Sequence, residues 1–147
     1  MNTLNYKTRN VFRNLHALLL VLLLFITANV NAQNACQGRT YTIGGWGTTG
    51  TTPATTYLTN NFSSAFPSGL VIGCASGNSC TFTTKAAITD FLPAGGSPAF
   101  LPSGGNHTDP GNTSLNTLAS QIVALTLSVT FDAYDAGFSP SSVALGN

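Results

Sequence analysis

The stretch TYLTNNFSSAFPSGLVIGCASGNSCTFTTKAAITDFL, residues 56–92, decides the fold. Two short strand-like runs, 70–74 and 80–83, are separated by turn-forming residues, and this pattern predicts a β-hairpin. Before the hairpin, apolar residues recur at helical spacing and predict a helix over 56–66. After it, Thr84 is suited to cap a second, shorter helix. One continuous segment therefore supplies a helix, a hairpin and another helix.

The longest predicted helix follows from five apolar residues that recur at alternating steps of three and four. They are Leu115, Leu118, Ile122, Leu125 and Val129. We expect its cap at Thr113 or Ser114. Residues 39–43 predict a short strand that breaks at a glycine-rich turn, and residues 48–56 and 95–112 predict loops. The sum is a small α+β domain, with about three helices packed on short strands that include the hairpin.

Residues 1–32 have the parts of a cleavable secretory signal peptide. An apolar run covers 17–26, about half the roughly 20 residues that a membrane-spanning helix needs. Small side chains at Val30 and Ala32 suit signal peptidase, and the basic residues before the run are Lys7, Arg9 and Arg13. We therefore expect a secreted or cell-surface protein, with one domain over 33–147 and no membrane insertion after cleavage. We also expect this domain to continue in a longer protein, because an apolar triad, 143–145, comes just before residue 147.

Few charges remain after residue 32. Two cations, Arg39 and Lys85, stand against four aspartates, so that part has a formal charge of −2, and the chain has no glutamate. Two separated cations cannot form the basic stripe that binds phosphate backbones, which excludes nucleic acid as a partner. A low-charge composition rich in Thr, Ser, Gly and Asn is common in extracellular surface proteins.

All three cysteines follow the predicted cleavage point, where the compartment is oxidising. Cys74 and Cys80 stand at the two ends of the hairpin turn, so we predict a disulfide between them. Cys36 is then unpaired, and its partner would lie beyond residue 147. A zinc site is the rival interpretation, but the chain lacks paired C-x-x-C spacing.

Four segments, in order, resemble a module at the N-terminus of secreted proteins from gliding-type bacteria. They are YTIGGWG (41–47), TYLTNNFSSAFPSGLVIGC (56–74), AAITDFLPAGG (86–96) and LASQIVALTLSVTFD (118–132). Proteins of this kind are usually large and end in a sorting domain for type IX secretion. The resemblance implies a surface or released protein and assigns no catalytic residue.

The sequence offers no catalytic motif. His107 lies in a Gly/Asn/Asp-rich loop, and no G-x-S-x-G elbow accompanies it to anchor a serine triad. Asp132 and Asp135 are three residues apart, but we interpret them as a polar turn after the last helix. P-loop and G-x-G-x-x-G patterns are also missing, so no cofactor is predicted. We therefore expect a protein that is not an enzyme.

Carbohydrate is the first candidate ligand. Trp46, flanked by glycines, would present its ring for sugar stacking, with Tyr41 and Tyr57 nearby in the sequence. The alternative is that Trp46 belongs to the core and that the glycines allow a tight turn around it.

Calcium is the second candidate ligand. Asp109, Asp132 and Asp135 carry oxygens of the kind that calcium prefers, but they lack the alternating spacing of a calcium loop. The functional hypothesis is a non-catalytic structural or adhesive module of a larger secreted surface protein, whose partners are carbohydrate or other cell-surface components. The alternative is an accessory domain of a secreted hydrolase whose catalytic unit lies downstream.

Overall fold

The computed structural model describes residues 38–74, 76–112, 116–141 and 145. These residues form four helices and one three-stranded sheet, which confirms the predicted α+β domain. The predicted signal peptide and Cys36 lie outside the described residues. In chain order the elements are α1 (Ile43–Gly47), α2 (Pro53–Ala65), β1 (Leu70–Gly73), β2 (Ser79–Phe82), α3 (Lys85–Phe91), β3 (Asn106–Thr108) and α4 (Thr117–Tyr134).

The predicted hairpin supplies two of the three strands of the sheet, with β2 at the centre. Strands β1 and β2 pair antiparallel with Ile72 opposite Cys80, and the strand order is β1-β2-β3. Strand β3 pairs parallel to β2, with Cys80 beside His107, inside the segment for which we expected only a loop. It is three residues long and has no apolar alternation, so its sequence carries no strand signal.

All three predicted helices form, with shifted starts for two of them. Helix α2 begins at Pro53, ahead of the predicted start, because Thr52 and Thr55 make a reciprocal capping box. Thr84 caps α3 as predicted. Helix α4 is capped by Asn116, whose side-chain oxygen accepts from two backbone N–H groups, rather than by the threonine or serine upstream. No helix in the described ranges is both long and apolar enough to cross a membrane.

The prediction of a strand over residues 39–43 is wrong. Helix α1 begins at Ile43, and Thr42 is its N-cap. The Thr42 hydroxyl accepts from Gly45 N–H at 3.1 Å, and Trp46 N–H donates to the Thr42 carbonyl at 3.0 Å. Glycines cost a helix about 1 kcal/mol each relative to alanine. The helix forms nevertheless because it places Trp46, which is fully buried, against the rest of the core.

An aromatic cluster joins α1, α2 and α4. The Trp46 ring centroid lies 5.6 Å from that of Phe131 and 6.4 Å from that of Phe138. Tyr57 from α2 packs on Phe131 at 5.0 Å and on Phe138 at 4.8 Å. Aromatic side chains bury large areas and add specific pair contacts, so this cluster is a main source of the domain's stability.

Neutral groups cap every described helix. The N-cap residues are Thr42, Thr52, Thr84 and Asn116. None of these helices has an acidic residue in its first turn or a basic residue in its last turn. The helix N-termini are therefore stabilised by hydrogen bonds to side-chain oxygens, and no charge in these first and last turns complements the helix dipole.

Candidate functional site

A surface pocket of about 390 Å³ lies where the loop before α2 meets the start of α2 and the start of α3. Seven of its ten lining residues are threonines, and we call it the threonine pocket. The lining residues are Thr48, Thr49, Gly50, Thr51, Thr55, Thr56, Thr59, Asn60, Lys85 and Thr89.

Hydrogen bonds hold the loop that forms one wall of the threonine pocket. The Thr55 hydroxyl donates to the Gly50 carbonyl at 2.7 Å, which ties the loop to the first turn of α2. The Thr48 hydroxyl donates to the Gly44 carbonyl, also at 2.7 Å, which ties the other end of the loop to α1. The wall is therefore fixed at both ends before any ligand binds, which lowers the entropic cost of binding.

Several hydroxyl groups in the pocket are oriented by the backbone. The Thr59 hydroxyl donates to the Thr55 carbonyl at 2.7 Å, and the Thr89 hydroxyl donates to the Ala86 carbonyl at 3.0 Å. A hydroxyl has one proton and two lone pairs. With the proton engaged, these oxygens present acceptor sites to a ligand.

Other groups in the pocket have both donors and acceptors to offer. Thr49, Thr51 and Thr56 are exposed, and their hydroxyls have no hydrogen-bond partner among the described residues. The Lys85 ammonium likewise makes no ion pair within the part of the chain that the structure describes. The pocket thus combines fixed acceptors, adaptable hydroxyls and one cation.

The chemistry of the pocket suits binding and not proton transfer. No carboxylate, histidine, cysteine or aromatic ring is among its lining residues. General acid–base catalysis needs a titratable group within hydrogen-bond reach of the substrate, and Lys85 is the one titratable side chain in this lining. This site could not be predicted from the sequence, because a run of threonine, glycine and proline resembles an ordinary loop. Its density of threonine over 48–59 is the signal that would have found it.

The predicted sugar platform is not available at the surface. Trp46 is fully buried, and its indole N–H has no partner in the described structure. Tyr41 and Tyr57 are half-buried, and both rings pack on Phe138. Stacking on a sugar needs an exposed ring face, so the burial of Trp46 contradicts the candidate glycan site centred on it. Tyr41 and Tyr57 are left half-buried, without the exposed indole that was to complete the site. The alternative, that Trp46 is a core residue, agrees with the structure.

The three candidate calcium ligands are not brought together. The carboxylate of Asp109 accepts from the Thr83 N–H at 2.7 Å and from the Thr83 hydroxyl at 2.6 Å. Asp132 accepts from the Leu145 N–H, and Asp135 accepts from the Tyr57 hydroxyl at 2.8 Å. The described residues contain no group of three or more His, Cys, Asp or Glu placed to hold a metal ion. These carboxylates hold loops and helix ends, which corrects the calcium hypothesis.

The structure does not contain the predicted Cys74–Cys80 disulfide. Both thiols are free, with Cys74 exposed and Cys80 buried. The reason lies in the register: Ile72 stands opposite Cys80, whereas Cys74 lies past the end of β1 and its N–H donates to the carbonyl of Asn78. The two cysteines are therefore not direct cross-strand neighbours.

Cys80 and His107 lie side by side in the ladder between β2 and β3. No hydrogen bond joins them, and the buried Nε2 atom of His107 has no partner among the described residues. Burial raises the pKa of the Cys80 thiol. A reactive cysteine needs a lowered pKa and access to substrate, so Cys80 has the properties of a core residue.

Comparison with protein-family models, with curated proteins and with solved structures finds no match. The resemblance to modules of gliding-type bacteria therefore stays a prediction. The geometry and chemistry of the threonine pocket are the basis on which a function can be proposed.

Replacing Tyr57 by phenylalanine should weaken the fold at neutral pH and much less in acid. Bonds from the Tyr57 hydroxyl and the Gly137 N–H lower the pKa of Asp135. A carboxyl with a lowered pKa stabilises the fold above its unfolded pKa of about 3.9, and this contribution is lost as the pH falls toward the folded value. The stability difference between wild type and Tyr57→Phe should therefore narrow as the pH falls below about 4.

Urea denaturation at neutral and at acidic pH measures this difference. Tyr134→Phe is the matched control, because Tyr134 is exposed and its hydroxyl makes no hydrogen bond within the described residues. Tyr134→Phe should leave the free energy of unfolding unchanged at both pH values. An equal loss for Tyr57→Phe at the two pH values would contradict a role for the ionised carboxylate.

Proposed function

We propose that this protein is a non-catalytic extracellular module that binds carbohydrate through the threonine pocket, as the adhesive part of a larger surface protein. The observation that carries the proposal is the concentration of seven threonine hydroxyls in one pocket that no carboxylate lines. Secretion and surface location are supported by the signal-peptide pattern of residues 1–32.

Carbohydrate is the ligand class that fits these groups best. A sugar hydroxyl both donates and accepts, and the pocket offers fixed acceptors at Thr59 and Thr89 beside free hydroxyls at Thr51 and Thr56. Each such bond has a modest net value of about 0.5–1.5 kcal/mol, because the groups exchange water for ligand. The pocket has no aromatic ring for stacking, so we expect weak binding of each sugar and adhesion through many sites.

Lys85 selects among carbohydrates. It is the one charged side chain among the lining residues, and it makes no ion pair within the described chain. A carboxylate or sulfate on a sugar would form a charge-assisted hydrogen bond with it. We therefore expect acidic polysaccharides to bind more tightly than neutral ones.

The double variant Thr51→Val, Thr56→Val should lose about tenfold or more in polysaccharide affinity, because two unpartnered hydroxyls disappear with little change in shape. Affinity electrophoresis on neutral and acidic polysaccharides measures the loss. Lys85→Gln should weaken retention on the acidic gels alone. Thr51, Thr56 and Lys85 are all exposed, so the melting temperature of each variant should hardly differ from that of the wild type.

Thr40→Val is the matched control, since Thr40 is exposed, makes no hydrogen bond within the described residues and does not line the pocket. It should bind as the wild type does. Unchanged retention in the double variant would exclude the threonine pocket as the binding site. A folded wild-type protein that no polysaccharide retains would overturn the proposed function itself.

A further inference from the structure

Helix α4 has two apolar faces, and its own domain covers only one of them. The covered face is formed by Ala119, Val123, Ala124, Leu127 and Phe131. On the opposite side Leu118, Ile122 and Leu125 are 46%, 40% and 61% exposed, and Val129 continues their line at half-burial. We call Leu118, Ile122, Leu125 and Val129 the α4 stripe.

The spacing of the α4 stripe is that of a coiled-coil seam. Its members follow one another at steps of four, three and four, which places leucines at the two d positions and isoleucine and valine at the two a positions. Leucine at d with a β-branched residue at a favours two parallel strands. An ordinary amphipathic helix would direct such a seam into its own core, but α4 presents it to solvent.

The flanks of the α4 stripe are uncharged. Helix α4 contains no lysine, arginine or glutamate, and its one aspartate, Asp132, is buried and accepts a bond from Leu145. The flanking positions carry Gln121 and Thr126 on its two sides. In coiled coils, charges at such positions select a different partner or reject an identical one. No such charge repels a second copy here.

We propose that two copies of this chain associate through their α4 stripes, with the helices parallel about a two-fold axis. The partner is a second copy, because an identical chain supplies the same leucine and β-branched positions in register. Helix α4 is already ordered by the fold of its own domain. Association therefore does not have to offset the loss of conformational entropy on forming the helix. This proposal is independent of the carbohydrate proposal.

The exposed Phe100 lies near the N-terminal end of α4. Its ring is 98% exposed, and the preceding Ala99 carbonyl accepts from the Asn116 side chain, which caps α4. Phe100 therefore lies at the same end of the helix as Leu118. In a parallel pair both copies bring this ring to the same end of the seam. The stripe spans about 16 Å at 1.5 Å per residue, so we expect a weak interface at the small end of the range for specific complexes.

Sedimentation equilibrium of the purified chain over a wide concentration range tests the association. The wild type should rise from the monomer mass to twice that mass. Leu125→Glu should weaken association about tenfold or more, because it places a charge in the seam of both copies. Leu125→Gln provides a second, uncharged variant should the first reduce folding. Val71→Glu is the matched control, since Val71 is 51% exposed and points from β1 to the face opposite that of its buried neighbours Leu70 and Ile72.

Cysteine cross-linking tests the parallel orientation. With Cys36 and Cys74 changed to serine, Leu118→Cys should form a covalent dimer on oxidation, because d positions face each other across the two-fold axis. The same variant with Leu125→Glu should not cross-link. A chain that stays monomeric at all concentrations, or a dimer insensitive to both Leu125 variants, would overturn the proposal. A dimer that Leu118→Cys does not cross-link would overturn the parallel arrangement.

Discussion

Trp46→Ala should lower the free energy of unfolding by about 3–5 kcal/mol, the usual cost of removing a large buried aromatic side chain. Trp46 is fully buried and packs on Tyr41, Phe131 and Phe138. Removing the indole leaves a cavity between α1 and α4, and the three neighbouring rings cannot move enough to fill it. Denaturation by urea, followed by circular dichroism, measures the change.

Trp46→Phe separates packing from polarity in the same position. It keeps an aromatic ring and removes an indole N–H that has no partner among the described residues. A buried polar group without a partner costs about 1–3 kcal/mol, so this variant should be clearly more stable than Trp46→Ala. A Trp46→Ala protein of unchanged stability that fails to bind sugar would contradict the core assignment and restore Trp46 as a binding residue.

Gly47→Ala should destabilise the fold by about 3 kcal/mol, the upper part of the usual range for overpacking. A Cβ atom at this position would overlap the carbonyl oxygen and the carbonyl carbon of Leu92. These are backbone atoms and cannot rotate away, so α1 and the end of α3 must separate. The same urea titration measures the effect, and the fluorescence of Trp46 should shift to longer wavelength as water reaches the ring.

Gly44→Ala is the matched control within the same short helix. The nearest atom to a Cβ at Gly44 is the Thr42 hydroxyl oxygen at 4.0 Å, so the added methyl group fits. Alanine favours the helix by about 1 kcal/mol over glycine, and this variant should be neutral or more stable than the wild type. Equal destabilisation by the two substitutions would mean that α1 does not pack as described.

The elements that could be predicted from the sequence are those whose signal is local. The hairpin follows from two apolar runs around a turn, and α3 follows from Thr84 and the apolar spacing after it. Helix α1 could not be predicted, because Tyr41, Thr42 and Ile43 favour a strand and glycines disfavour a helix. The contacts of Trp46 with Phe131 and Phe138 outweigh these preferences, and they are distant in sequence.

The candidate site could not be predicted either, because it also depends on contacts between residues that are distant in the sequence. An aromatic residue among glycines suggests an exposed platform, and only the fold shows that Trp46 is buried. The threonine pocket brings Thr51 and Thr56 together with Lys85 and Thr89. The hairpin separates these two pairs in the sequence, so no local motif describes the pocket. Similarly, the apolar period of α4 predicts a helix but does not tell which face the domain covers. Val123 and Leu127 lie outside that period and are fully buried.

The neutral helix caps have a consequence for the medium in which this fold works. Hydroxyl and amide groups hold the helix starts at Thr42, Thr52, Thr84 and Asn116, and the described residues contain no lysine or arginine paired with an aspartate. Dissolved ions weaken attraction between exposed charges by screening it. They have little to screen among the described residues, so we expect added salt to remove little of the domain's stability by weakening charge attraction.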